Sequence, residues 1–218
     1  MEAVRHAWSV HAPGASVAPP GPQRTTNETD LLTLAKAYLP PQSPLQVLER
    51  AAPHSSGVAR RSLELRVDGA FSAVVELVAA GSAGGQADGG WLPCRVAVGP
   101  SHEPLPYGAS QPPGLLVFAD LTARAGALLA GLDAAPPAQR LRHLVRWLAA
   151  LDGLFDSVCA GCGGVFPPDA TCAAQLLPPT ARGPRLEPYH PGCFRARFGC
   201  SAEAAFLQAA LLDYGCLS

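Results

Sequence analysis

The stretch Arg140-Leu-Arg-His-Leu-Val-Arg-Trp-Leu-Ala-Ala-Leu-Asp-Gly-Leu-Phe-Asp-Ser-Val158 runs directly into Cys159-Ala-Gly-Cys162-Gly163-Gly164, and the region closes on His190-Pro-Gly-Cys193. At about 100° per residue, Leu141, Leu144, Val145, Trp147, Leu148, Leu151, Leu154, Phe155 and Val158 fill more than half of a helix circumference. Arg142, His143, Arg146 and Asp156 mark a narrower polar strip. An apolar arc this wide packs against more than one element, so the spacing predicts a core helix that reaches Val158 and delivers the chain to Cys159. Pro136-Pro137 break the preceding segment and suit the first turn of this helix.

Cys159, Cys162, His190 and Cys193 form two pairs, each with a two-residue spacer. Zinc takes thiolate sulfur and neutral imidazole nitrogen tetrahedrally, and a two-residue spacer lets both members of a pair bend round one ion. The four residues are therefore read as a structural zinc site that staples a loop to the end of the helix. The segment Gly163 to Tyr189, rich in proline, is long for a structureless loop, and a metal clip makes it tolerable. Cys94, Cys172, Cys200 and Cys216 lie outside the set, and Cys172 or Cys200 remains open as a substitute ligand. A redox CxxC sits at a helix N-terminus, where the dipole favours the thiolate, whereas Cys159 is expected after a helix C-terminus. A zinc deaminase needs His-x-Glu ahead of Pro-Cys-x-x-Cys; here His102 and Glu103 are adjacent and Val158 precedes Cys159. Four protein ligands leave no position for water, and Glu187 is the carboxylate nearest the second pair. Cys94 and His102 suggest nucleophile chemistry by residue type alone. No catalytic or cofactor-binding residue is assigned. Arg182, Arg185, Arg195 and Arg197, around the second pair, are read as a solvated face.

Upstream, Asp30 caps a short helix over Leu31–Leu39, ended by Pro40-Pro41. Ser43-Pro44 is read as the start of a second helix through Leu45, Val47, Leu48 and Ala52. The period then changes. Leu63, Leu65 and Val67 alternate with polar residues, Asp68-Gly69 marks a hairpin, and Phe71, Ala73, Val75 and Leu77 line the return strand. Gly81 to Gly90 reads as a loop, and Trp91 to Val98 as a third strand whose Pro93 places it near an edge. Leu115 to Phe118 lead into a helix over Ala119–Leu132, with Leu121, Ala125, Leu128, Leu129 and Leu132 at helical spacing. Ser201 caps a terminal helix. The expected class is α+β, a small antiparallel sheet packed with helices and a zinc-stapled loop towards the C-terminus. Residues 1–28 are read as a disordered arm, 29–200 as the α+β domain with the zinc site at 159–193, and 201–218 as a C-terminal helix and tail.

The chain of 218 residues carries a formal net charge of −1, against the basic excess of a general nucleic-acid binder. It contains no Ile, one Lys and one Asn, with abundant Ala, Gly, Pro and Arg, a bias that a GC-rich genome produces without selection on function. Met1 to Trp8 lack the apolar core of a secretory signal, and no apolar run is long enough to span a bilayer. With seven cysteines, a reducing compartment is expected, where CxxC favours metal over disulfide.

The run Val145-Arg146-Trp147-Leu148 through Leu154-Phe155, Cys159-x-x-Cys162-Gly163, Leu177-Pro178-Pro179-Thr180-x-Arg182 and His190-x-x-Cys193 resembles the C-terminal domain of Mediator complex subunit 27. The resemblance is specific over about Arg140 to Cys193 and looser upstream. It implies a nuclear, non-enzymatic subunit of the coactivator that links transcription factors to RNA polymerase II, in contact with other Mediator subunits. It implies neither membrane association nor direct nucleic-acid binding, and it makes Cys159, Cys162, His190 and Cys193 the family's cysteine and histidine set. The sequence departs from the family pattern in a reduced N-terminal helical region, in extra residues including Cys172 between the pairs, and in a tail beyond Cys193. The other function class compatible with these residues is a stand-alone zinc-binding adaptor in a nucleic-acid or ubiquitin pathway.

Overall fold

Alternation of apolar and polar residues builds the sheet on which the rest is laid. The computed structural model describes residues 31–50, 59–80, 90–103, 105, 115–167, 177–183 and 185–205. Strands β1 (Gln46–Arg50), β2 (Arg60–Val67), β3 (Phe71–Ala79) and β4 (Trp91–Gly99) form an antiparallel meander in sequence order. Leu63 pairs with Val75, Leu65 with Ala73 and Val67 with Phe71, so the predicted faces of the hairpin coincide in one buried layer. Gly69 takes φ 76° in the turn, as the Asp-Gly signal requires. β4 adds Val96 opposite Val75 and Val98 opposite Ala73. Its Pro93 tolerates an edge position, and the register slips beside it: Glu76 faces Arg95 while Leu77 faces Pro93, which leaves Cys94 as the extra residue of a bulge.

Helices α1 (Leu31–Ala37), α2 (Leu116–Gly131) and α3 (Pro137–Ala149) cover the apolar face. α2 and α3 lie on β4 and against each other, while α1 bridges β1 and α3. Thr122 of α2 accepts the Val98 amide at 3.0 Å, satisfying an edge-strand donor that would otherwise invite another chain. The five apolar positions predicted for this helix are all buried, and it begins at Leu116 rather than Ala119.

Two expectations are corrected. The segment after Pro44 is strand β1, not a helix: Leu45 and Val47 are each 4% exposed, Leu48 is 47% exposed, and the run pairs with β2 from Gln46 opposite Arg66 to Arg50 opposite Ser62. Period 2 wins because the edge of β2 offers a complete set of backbone partners. The long helix stops at Ala149, nine residues before Val158, and residues 151–156 continue as turns. Gly153 adopts φ 64° and its carbonyl receives the amides of Asp156 and Ser157, so Asp152-Gly153 redirects the chain. Leu151 and Leu154 stay in the core, whereas Phe155 and Val158 are exposed. His143, assigned to the polar strip, is 6% exposed. The arm over 1–28, the loop over 81–89 and Cys172 and Cys216 lie outside the described residues.

Candidate metal centre

After the turns the chain makes a knuckle. Cys159 donates its amide to the Gly164 carbonyl at 2.9 Å and accepts at its own carbonyl from the Gly163 amide at 2.8 Å. Gly163 takes φ 75°, the left-handed conformation that glycine adopts freely. Gly161, in the spacer, fills a different need: a Cβ there would lie 3.0 Å from Cys193 Cβ and 3.5 Å from Cys159 Sγ. The stretch expected as an irregular loop also contains a hairpin, β5 (Ala181–Arg182) paired with β6 (Pro188–Tyr189). Ala160 binds it through a 2.8 Å bond to the Pro188 carbonyl. β6 delivers His190, and helix α4 (Pro191–Phe198) starts at once, placing Cys193 in its first turn.

These elements bring Cys159, Cys162, His190 and Cys193 together, with one ligand atom from each within 4.8 Å of all the others. His190 Nδ1 lies 3.3 Å from Cys162 Sγ and 3.7 Å from Cys193 Sγ. Tetrahedral zinc with bonds of about 2.0 to 2.3 Å separates its ligands by roughly 3.5 to 3.8 Å, so the set fits with little adjustment. Nε2 of His190 sits 2.9 Å from the Val165 carbonyl. As a donor there, it leaves Nδ1 unprotonated and aimed at the sulfurs, the outer contact typical of a metal-ligating histidine. The amides of Gly161 and His190 each donate to Cys159 Sγ at 3.3 Å. Burial opposes ionisation of Cys159, but the amides of His190, Cys162 and Gly161 outweigh it and hold the thiol below its ordinary range. Burial, with the Cys159 and Cys162 sulfurs alongside, pushes Cys193 up to about 12. Three sulfurs so close compete for negative charge, and a divalent cation removes that conflict.

Behind the ligands lies a small apolar cluster of Cys159, Ala181, Tyr189, Phe194 and Ala202. Tyr189 meets Phe194 edge-on, with centroids 5.6 Å apart, and Phe198 in the same manner at 5.7 Å. Cys193 sits at a helix N-terminus, and Cys159 does not follow a helix C-terminus, so the dipole argument against redox chemistry loses its basis. Cys200 is described and stands outside the ligand group, half-buried against the small cluster. Cys94 donates to the Glu76 carbonyl at 3.4 Å, and His102 faces Glu103 at an exposed turn. Glu187 accepts the Arg185 amide at 3.0 Å.

The four arginines do not share one solvated face. Arg195 and Arg197 are exposed, but Arg182 is 1% exposed. Its Nε donates to the Ala150 carbonyl at 2.6 Å and its Nη1 to the carbonyls of Pro179 and Ala181 at 2.5 and 3.1 Å. Burial pulls the guanidinium down to about 10, which leaves it charged at neutral pH. Thr180 beside it is fully buried and donates to Asp120 Oδ2 at 2.7 Å. Reading by residue type missed both roles; the signal was a polar pair directly after Leu177-Pro178-Pro179, where buried backbone carbonyls need donors.

No curated protein matches the chain. Residues 116–194, from the first residue of α2 to the one after Cys193, match the model of the family described as Mediator complex subunit 27.

Proposed function

We propose that the chain is a non-catalytic subunit of the Mediator complex, acting in the nucleus through protein–protein contacts, and that Cys159, Cys162, His190 and Cys193 hold one structural zinc ion. The observation that carries this reading is the span of the family match, which takes in α2, α3, the knuckle, the hairpin and all four candidate ligands. The chemistry of the donor set supports zinc: sulfur and imidazole at tetrahedral spacing, with the imidazole oriented by a backbone carbonyl. Four protein ligands complete a tetrahedron, so the ion would crosslink the knuckle to α4 and offer no place for a substrate. Among the described residues no helix is long and apolar enough to cross a membrane.

The test is affinity purification of the tagged full-length chain from nuclear extract with peptide identification, alongside elemental analysis of the purified protein. Other Mediator subunits in stoichiometric amounts, and one zinc per chain, are the expected results. Recovery of the chain alone, or with nucleic-acid or ubiquitin machinery, removes the Mediator assignment. Protein free of metal with three accessible thiols in the ligand set removes the zinc assignment.

A further inference from the structure

The part of the candidate metal module from β5 to the end of α4, residues 181–198, is tied to α2 at both of its ends. Ahead of β5, Thr180 donates to Asp120 Oδ2. The same carboxylate receives Arg124 Nε at 2.7 Å and Nη2 at 3.2 Å. Beyond α4, Gly199 takes φ 69° and turns the chain back. Ser201 Oγ then accepts the Ala204 amide at 3.2 Å, starting a helical turn over 202–205. Ala202 is 6% exposed and packs into the cluster that covers Cys159. Glu203, next along, receives Arg124 Nη1. One guanidinium thus holds two carboxylates, one on its own helix and one on the segment after the metal module. That segment lies past residue 194, where the family match ends.

We infer that residues 201–205 are a strap that holds the Cys193-bearing helix closed over the candidate metal centre, with Glu203 as its latch on Arg124. Releasing the ligand set requires α4 to swing away from the knuckle. That motion also uncovers Ala202 and parts Glu203 from Arg124, so the strap's contacts add to the free energy of local opening. The latch is separable from the fold, because Arg124 keeps Asp120 when Glu203 is neutralised and no buried cation is left unpaired. The inference rests on the zinc reading for one of its two readouts.

The full chain, Glu203→Gln, a chain stopped after Cys200, and Glu64→Gln as a distant ion-pair control on β2 are compared. Amide hydrogen exchange across residues 189–198 is followed with and without added zinc, and zinc transfer to a chelator is timed. Both strap variants are expected to exchange roughly five- to tenfold faster at 189–198, with α3 and the sheet unchanged, and to give up zinc faster by a similar factor. Exchange at 189–198 equal to that of the parent and of Glu64→Gln overturns the strap. Protein that takes up no zinc overturns the metal reading, while the exchange comparison still decides the strap.

Discussion

Arg182 Nε donates to the carbonyl of Ala150, the residue that caps the C-terminus of α3, across 2.6 Å. This bond joins the β5–β6 hairpin to the last turn of the core helix, where the macrodipole favours a cation. The same guanidinium holds the carbonyls of Pro179 and Ala181, so one buried side chain satisfies three backbone acceptors. Arg182→Ala leaves all three without their donor and opens a void as large as the side chain. A loss of roughly 3 to 5 kcal/mol is expected, read as a lower urea midpoint. Arg182→Lys is expected to recover only part of it, because an ammonium cannot span three acceptors in a planar fork. Full stability in the lysine variant would show that charge alone, not the fork, is what the site uses.

Cys159 and Cys94 separate a candidate ligand from a cysteine outside the ligand group. Cys159 is buried, receives two amide hydrogen bonds at Sγ and sits in the candidate ligand group; Cys94 is exposed on the β4 bulge. Cys159→Ser is expected to abolish tight zinc binding and lower the melting temperature sharply. Cys94→Ser is expected to shift stability by no more than about 0.5 kcal/mol, as for a surface site. Adding a chelator to the parent protein should reproduce the Cys159→Ser melting curve. Equal melting temperatures for the two serine variants would count against the ligand choice.

Alkaline titration of the metal-free protein reads the crowding of sulfurs. The Cys193 thiol is pushed up to about 12 from an ordinary value of 9.0, by burial first and then by the Cys159 and Cys162 sulfurs. A raised folded-state value means that the folded chain binds more protons than the unfolded chain between those limits. The stability this thiol contributes is therefore complete below pH 9.0 and is lost as pH rises towards 12. The expected result is a melting temperature that falls over this window in metal-free protein and falls less in Cys193→Ala. With zinc bound the thiolates are already formed, so the Cys193 contribution to the slope should vanish. An unchanged slope in Cys193→Ala would place the titrating group elsewhere.

Strand β1 shows where the sequence was legible and where it was not. The β2–β3 hairpin declared itself because seven apolar residues alternate over two runs joined by Asp68-Gly69. The four candidate ligands were singled out by cysteine and histidine at two-residue spacing, with Cys172 or Cys200 open as a substitute; the structure brings one ligand atom from each of the four within 4.8 Å of the others. β1 buries only Val47, with Leu45 buried just ahead of it, and the exposed Leu48 directly after Val47 hides the alternation. With Pro44 suited to a first helical turn, local signals favoured a helix, and only the β2 edge decides otherwise. The end of α3 was obscured in a related way: Leu151 and Leu154 keep helical spacing and remain buried, although Gly153 has already broken the helix. Arg182 was missed because its one local signal, a place just after Pro178-Pro179, separates a buried arginine from a surface one only weakly. Val47→Ala is expected to cost about 1 to 3 kcal/mol, as deletion of buried methyl groups does, and Leu48→Ala much less. Similar costs at both positions in urea unfolding would argue against the strand register.

Gly161 and Gly192 occupy the spacers of the two pairs, and the structure assigns them opposite tolerance. A Cβ on Gly192 meets nothing within 4 Å and its φ is unexceptional, so alanine in the first turn of α4 should be neutral, or stabilising by roughly 0.5 kcal/mol through a stiffer unfolded chain. A Cβ on Gly161 lies 3.0 Å from Cys193 Cβ, tighter than ordinary contact, and 3.5 Å from Cys159 Sγ. The knuckle and α4 must part by a few tenths of an ångström to admit it, and that parting spreads the sulfurs an ion would draw together. Gly161→Ala is therefore expected to weaken zinc binding by about tenfold or more while the sheet and α3 keep their exchange protection. Gly163→Ala separates strain from crowding: its Cβ has open space, but φ 75° costs roughly 1 to 2 kcal/mol, which falls on the knuckle rather than on the spacing of the ligands. Zinc competition against a chromogenic chelator ranks the three variants, and the ranking expected is Gly192→Ala tightest, Gly163→Ala next and Gly161→Ala weakest. A Gly161→Ala protein that binds zinc as tightly as Gly192→Ala would refute the crowding of Gly161 against Cys193 as a control on the ligand spacing.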